Sequence, residues 1–137
     1  MQVMAEERRL SGVVLIVEDD PDIRAAMKCL LQLEGHTVAT AADGGEALET
    51  LRNGLEPGLI LLDLMMPHVD GFQFRKEQLK DPRLSPIPVA VYSGHHDPMR
   101  YAPLLKAAAY FRKPVEVETL LRIVDAHCRR PAQATTH

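Results

Sequence analysis

The chain has 137 residues, 46% of them hydrophobic and 26% charged, with a formal net charge of −3. That length and balance suit one soluble domain with its own buried core and exclude a disordered chain. No apolar run approaches the roughly 20 residues of a membrane span, the charged start Glu6-Glu7-Arg8-Arg9 excludes a secretory signal, and the weakly acidic balance offers no basic field to nucleic acid.

Residues 1–11 read as a short flexible end. Val13–Val17 is a near-continuous aliphatic run, the pattern of a strand covered on both faces. Pro21 then opens a helix with Ile23, Ala26, Met27 and Leu30 on one face and a stop at Gly35. Asp20 is placed to cap that helix, and Asp22 puts negative charge in its first turn, where the dipole favours it. His36–Ala41 is a weaker strand candidate. Asp43 and Glu46 have capping-box spacing before a helix carrying Ala47, Leu48 and Leu51, which ends at Asn53-Gly54. Gly44-Gly45 lacks the remaining glycine of a dinucleotide loop and reads as the start of that helix. Leu59–Leu62 is the second continuous strand, and Phe72 to Lys80 the third helix, ending before Asp81-Pro82. Val89–Tyr92 is the third continuous strand. Asp97-Pro98 can open a helix, but Pro103 breaks or kinks it. Tyr110–Arg112 is the last strand candidate. Val117, Leu120, Leu121, Val124 and Cys128 then mark one face of a final helix, with Pro131 beyond it. Residues 130–137 read as a second flexible end, and neither end has room for an output domain. Cys29 and Cys128 have no CxxC or metal spacing; they read as small buried hydrophobes in a reducing, cytoplasmic compartment. Strands alternating with helices predict an α/β fold: a doubly wound five-stranded parallel sheet with helices on both faces.

Ligands of such sheets bind outside the carboxyl ends of the strands. The predicted strands end in Glu18-Asp19-Asp20, Asp63, Ser93 and Lys113, so carboxylates, a hydroxyl and an ammonium converge on one rim. Carboxylates held together repel one another, and a hard cation such as Mg2+ is the expected neutraliser, keeping waters and room for a phosphate oxygen. A lone aspartate at a strand end is ordinarily a helix cap or a solvated loop residue; four strand ends together argue for chemistry. The neighbouring His95-His96 share no helical face and have no ligand partner at zinc spacing. His68 reads as solvent-facing, and Arg129-Arg130 as complementing a helix dipole.

Four blocks carry a family resemblance. Val17 to Arg24, Leu62 to Gly71 (with its Met-Pro-x-x-Asp-Gly tail), Tyr92-Ser93-Gly94 and Phe111-Arg112-Lys113-Pro114 together resemble the receiver domain of two-component response regulators, over residues 12–129. The resemblance implies a flavodoxin-like fold with strand order 2-1-3-4-5 and Asp63 as phosphoacceptor. The phosphodonor would be a sensor histidine kinase or phosphotransfer protein. It further implies Mg2+, with Mn2+ as an alternative, held by Asp19, Glu18, Asp63 and the backbone carbonyl of Met65. Lys113 would bind a phosphate oxygen, Ser93 would give the phosphoryl group its hydroxyl, and Ser93 with Tyr110 would form the switch. Lys113-Pro114 is often cis in the family, and Met65 and His95 would flank the hydrolytic water. The protein would be no enzyme towards a separate substrate: it assists its own phosphorylation and dephosphorylation. Its output partner is a further protein, not nucleic acid or membrane. The fourth crossover, Asp97 to Ala109, departs from the family: it is short, holds Pro103, and has Lys106-Ala107-Ala108-Ala109 in place of a glycine-bearing step. The alternative reading is a pseudo-receiver, an interaction module independent of phosphorylation. A phosphatase with an aspartyl nucleophile would place its DxD pair directly after the first strand, where this chain has Glu18-Asp19-Asp20, and would carry a cap domain, for which the chain offers no room; an FMN carrier is disfavoured by the acidic rim and the lack of a phosphate-cradling loop.

Overall fold

Successive side chains of a strand face opposite ways, so aliphatic runs without polar interruption must be covered on both sides. The computed structural model describes residues 12–64, 70–94 and 105–128. Its elements are β1 (Val13–Val17), α1 (Pro21–Leu33), β2 (Thr37–Ala41), α2 (Gly44–Arg52), β3 (Leu59–Asp63), α3 (Gly71–Lys80), β4 (Val89–Ser93), β5 (Ala109–Arg112) and α4 (Val117–His127). The strands form one parallel sheet in the order β2-β1-β3-β4-β5, as expected. Among the described residues no helix is long and apolar enough to cross a membrane.

Strand parity sorts the core into two layers. Leu15, Val17, Ile60, Leu62, Val89 and Val91 pack with Ala47, Leu48, Leu51 and Phe74 from α2 and α3. Val14, Ile16, Leu59, Leu61, Ala90, Tyr92 and Phe111 pack with Met27, Leu31, Leu120, Val124 and Cys128 on the α1 and α4 side. At about 25 cal/mol per Å2, each fully buried Leu or Ile contributes roughly 1.5–3 kcal/mol, and β3 is buried over its whole length, Asp63 included. The acidic terminus is therefore held by one of the two strands, β3 and β4, that are buried from end to end.

Local chemistry fixes the ends. Asp20 Oδ1 accepts from the N–H groups of Asp22 (2.9 Å) and Ile23 (3.1 Å). Asp43 Oδ1 accepts from Glu46 N–H at 2.8 Å. The return bond of the expected capping box lands one residue early, from Ala42 N–H to Glu46 Oε2 at 3.4 Å. Gly35, at φ 94°, turns the chain out of α1 in a conformation that costs other residues a Cβ clash. Gly71 has a different reason: a Cβ there would lie 2.7 Å from Asp63 O and Leu64 Cα, so only glycine lets α3 start against the end of β3.

Several expectations need correction. β2 starts at Thr37; His36 precedes it, out of the ladder because its N–H donates to Leu31 O of α1 at 3.0 Å, while its Nε2 lies 3.1 Å from Asp125 Oδ1 of α4. β5 gains Ala109, and α3 gains Gly71. Cys29 is exposed, and only Cys128 is buried; Cys29 stands two residues from both Met27 and Leu31, which are α1's buried residues, and so lies on the opposite side of the helix. On α1, Met27 is buried but Leu30 is half-buried and Ile23 and Ala26 are exposed, while Leu31 takes the inward place. On α4, Val117 is exposed and Leu121 half-buried. Ile23, Ala26, Leu30 and Val117 line a groove of about 530 Å3 between α1 and α4 that reaches Lys113-Pro114. Residues 1–11 and 130–137, Arg129, Met65, His68, His95-His96 and the crossover up to Leu104 lie outside the described residues.

Candidate functional site

Register builds the site. Val17 is level with Leu62, Asp63 with Tyr92, and Tyr92 with Phe111. Glu18, held by its N–H to Ala41 O at 3.1 Å, extends β1 by one step. Glu18, Asp63, Tyr92 and Phe111 thus form one row across the sheet. Lys113 follows two residues after Phe111, with its N–H on Ser93 O (3.1 Å) and a cis bond to Pro114. Its Nζ donates to Asp63 Oδ2 at 3.0 Å and stands 3.4 Å from Glu18 Oε1. Asp19 joins from the loop after β1; one oxygen each of Glu18, Asp19 and Asp63 lies within 4.8 Å of the others. Arg24 of α1 donates to the Glu18 carbonyl at 2.8 Å and steadies that loop.

This is a crowded acidic centre. Glu18 and Asp63 are almost fully buried, and the Lys113 side chain is 25% exposed. Burial, and then the charge of Asp63, push the Glu18 carboxyl up to about 7, against the pull of Asp20 N–H and Lys113. Burial alone would lower Lys113, but its hydrogen bond to Asp63 and the charges of Asp63 and Glu18 outweigh it and hold the ammonium above its usual range. Three clustered carboxylates facing one ammonium are a donor set suited to a divalent cation with hard oxygen preferences, which would replace Lys113 as counter-charge and keep water in its other positions.

Glu18, Asp19, Asp63 and Lys113 thus meet. Ser93 is buried at the end of β4, one residue past Tyr92 and so on the opposite face. Tyr110 lies behind it on that α2/α3 face, level with Val91, and its hydroxyl accepts from Ala107 N–H at 2.8 Å. The Met65 carbonyl and His95 are outside the described residues. Sequence reasoning treated Tyr92 as strand filling only. Its hydroxyl donates to Glu18 Oε1 at 3.0 Å, and Lys113 Nζ sits 5.4 Å above its ring centroid. Counting from the predicted ends of β3 and β4 puts Asp63 level with Ser93, so no signal in the sequence places Tyr92 in the acidic row; the register that does so is set by packing.

Residues 14–125 match the family described as response regulator receiver domain. The chain is 32% identical over 115 residues to protein PilH of Pseudomonas aeruginosa, covering 82% of this chain and 94% of that one. It is 34% identical over 125 residues to the transcriptional regulatory protein AfsQ1 of Streptomyces coelicolor, covering 90% of this chain but 54% of that protein. Thus it spans about half the length of that relative, and 49% of the regulator RpaA of Synechocystis. The solved chemotaxis protein CheY4 of Vibrio cholerae superposes with a TM-score of 0.77 at 29% identity, covering 86% of this chain and 98% of that one. Five parallel strands in the order 2-1-3-4-5, an acidic rim and a family match over most of its length agree: the chain belongs to the receiver domains of two-component response regulators.

Proposed function

We propose that the protein is a phosphorylation switch: Asp63 accepts a phosphoryl group from the phosphohistidine of a sensor kinase or phosphotransfer protein, in a reaction that requires Mg2+. The observation that carries this reading is the buried Asp63 carboxylate, 3.0 Å from Lys113 Nζ and beside Glu18 and Asp19. An Asp63 oxygen forms the new O–P bond while the P–N bond to the donor imidazole breaks, its electron pair remaining on nitrogen. Glu18, Asp19 and Asp63 would hold Mg2+, with Mn2+ a substitute. When bound, the ion neutralises charge on the transferring phosphoryl oxygens.

The residues of this chain do the rest. Lys113 carries a compact charge on a flexible stem and can pass from Asp63 to a phosphoryl oxygen as that oxygen arrives. Ser93 supplies a hydroxyl donor at the end of β4. Engaging that hydroxyl disturbs the packing ahead of Tyr110, whose own bond to Ala107 ties the ring to the end of the fourth crossover. The apolar groove beside Lys113-Pro114 offers the phosphodonor protein a surface next to the acceptor. The protein acts by contact with a downstream protein, in the cytoplasm, with no turnover of a separate substrate.

Incubation with Mg2+ and a small phosphodonor such as acetyl phosphate tests the reading. Intact-mass measurement should show one phosphoryl group on the wild type and none on Asp63→Asn. An equal adduct on the variant would overturn the acceptor assignment. No adduct on the wild type would leave the phosphorylation-independent interaction module.

A further inference from the structure

Tyr92 touches the acidic centre from below yet takes no part in the chemistry just described. A buried phenol needs a partner for its hydroxyl, since an unpaired one costs more than its ring gains by burial over an aliphatic side chain. Here the partner is chosen with some precision: the hydroxyl donates to Glu18 Oε1 at 3.0 Å, with Met27 Sδ 3.7 Å away. The ring is fixed by stacking on Phe111, with centroids 5.4 Å apart and planes 22° from parallel. Lys113 Nζ lies over its face at 5.4 Å. Glu18 Oε2, the other oxygen, accepts from Asp20 N–H at 3.2 Å.

We propose that Tyr92 is a positioning residue for the cation site, its hydroxyl fixing the Glu18 carboxylate and its ring guiding Lys113. The argument turns on what happens when Lys113 leaves. Lys113 and Tyr92 share Glu18 Oε1. Once the ammonium turns to a phosphoryl oxygen, the phenol is the donor that keeps the carboxylate from swinging. Being neutral, it holds Glu18 without supplying a charge that would compete with the cation. Partners that orient a metal-binding carboxylate in this way typically change metal affinity by about 10- to 100-fold when removed. An aliphatic residue at position 92 would fill the same space and, once Lys113 has turned away, offer Glu18 Oε1 no hydroxyl donor, the Asp20 N–H remaining on Oε2.

The inference rests on the reading of Glu18, Asp19 and Asp63 as a Mg2+ site, and its test separates the two. Mg2+ dissociation constants are measured by NMR titration for the wild type, Tyr92→Phe, Glu18→Gln and the double variant, with amide signals far from the rim reporting that the fold is intact. Tyr92→Phe removes one oxygen and keeps the ring, and should weaken Mg2+ by about tenfold. In the Glu18→Gln background the same change should alter affinity by less than about twofold, because the hydroxyl acts through that carboxylate. Wild-type affinity in Tyr92→Phe would overturn the positioning role while leaving the cation site in place. An equal loss in both backgrounds would also overturn it, exposing a merely structural effect. A wild-type protein that binds no Mg2+ would overturn the site reading and the positioning role together.

Discussion

Two thiols that look alike in the sequence sit in opposite environments. Cys29 is on the outward side of α1, whereas Cys128 is buried with its Sγ 3.6 Å from Val13 O. Burial, and then the charge of Asp125, push the Cys128 thiol up to about 12, so near neutral pH it is neither exposed nor ionised. Alkylation at pH 8 should therefore modify Cys29 quickly and Cys128 only when the protein unfolds; two equally fast thiols by mass spectrometry would contradict the packing of α4. The linkage has a definite sign. A thiol raised from its ordinary value of 9.0 to about 12 in the folded state contributes stability that is complete below pH 9 and is lost as pH climbs from 9 towards 12. The same contrast shows what a sequence gives at single-residue scale. Glu18, Asp19, Asp63 and Lys113 were legible because each closes a strand, and strand ends of a parallel sheet meet. Tyr92 was not, because its role depends on register between β3 and β4, and register is decided by packing that no single strand encodes.

At the level of elements, the turn that leads into β5 is held by a buried arginine. The fourth crossover ends in Lys106 where a receiver commonly carries glycine, and Lys106 takes the left-handed conformation at φ 50°. That backbone costs an L-residue about 1–2 kcal/mol. Arg75 of α3 offsets the cost: its Nε donates to Leu105 O at 2.7 Å and its Nη2 to Lys106 O at 2.8 Å. Its Nη1 donates to Gln78 Oε1 at 2.8 Å, and Gln78 Nε2 in turn donates to the carbonyls of Leu84 and Ile87 at 3.0 Å each. Arg75→Met would leave two carbonyls and the Gln78 amide oxygen without these donors, and should cost about 2–4 kcal/mol in urea unfolding. Lys106→Gly should relieve the strained backbone and stabilise by about 0.5–1 kcal/mol, the glycine's greater unfolded freedom taking back part of the gain. A loss of stability in Lys106→Gly would mean that the Lys106 side chain, not the carbonyl clamp, holds this turn. The missing glycine could be read from the sequence. The clamp could not: Arg75 lies 30 residues from Leu105, and helical spacing marks it only as polar.

Across the whole molecule, stability and function occupy opposite parts of the same sheet. Aliphatic layers cover both faces, while the carboxyl-terminal rim gathers three carboxylates that one lysine only partly neutralises. Such a site is a place where a fold gives up stability for chemistry, so removing a charge there should stabilise the metal-free protein. Asp19 is the best position for this test, because it is half-buried and is neither the proposed acceptor nor part of the Lys113 pair. Asp19→Asn should raise metal-free stability by about 1 kcal/mol. Mg2+ should reverse that order by stabilising the wild type more than the variant. A ligand that binds only the folded state stabilises by RT ln(1 + [L]/Kd), or about 2.7 kcal/mol at a hundredfold excess over Kd. The wild-type melting temperature should therefore climb by several degrees as Mg2+ is added, while Asp19→Asn, lacking a charged oxygen ligand, should stay nearly flat and be overtaken. The expected result is crossing curves: the variant melts higher without Mg2+ and the wild type melts higher with it. Parallel curves would show that Asp19 contributes nothing to holding the cation, and that the repulsion at the rim is relieved by Lys113 alone.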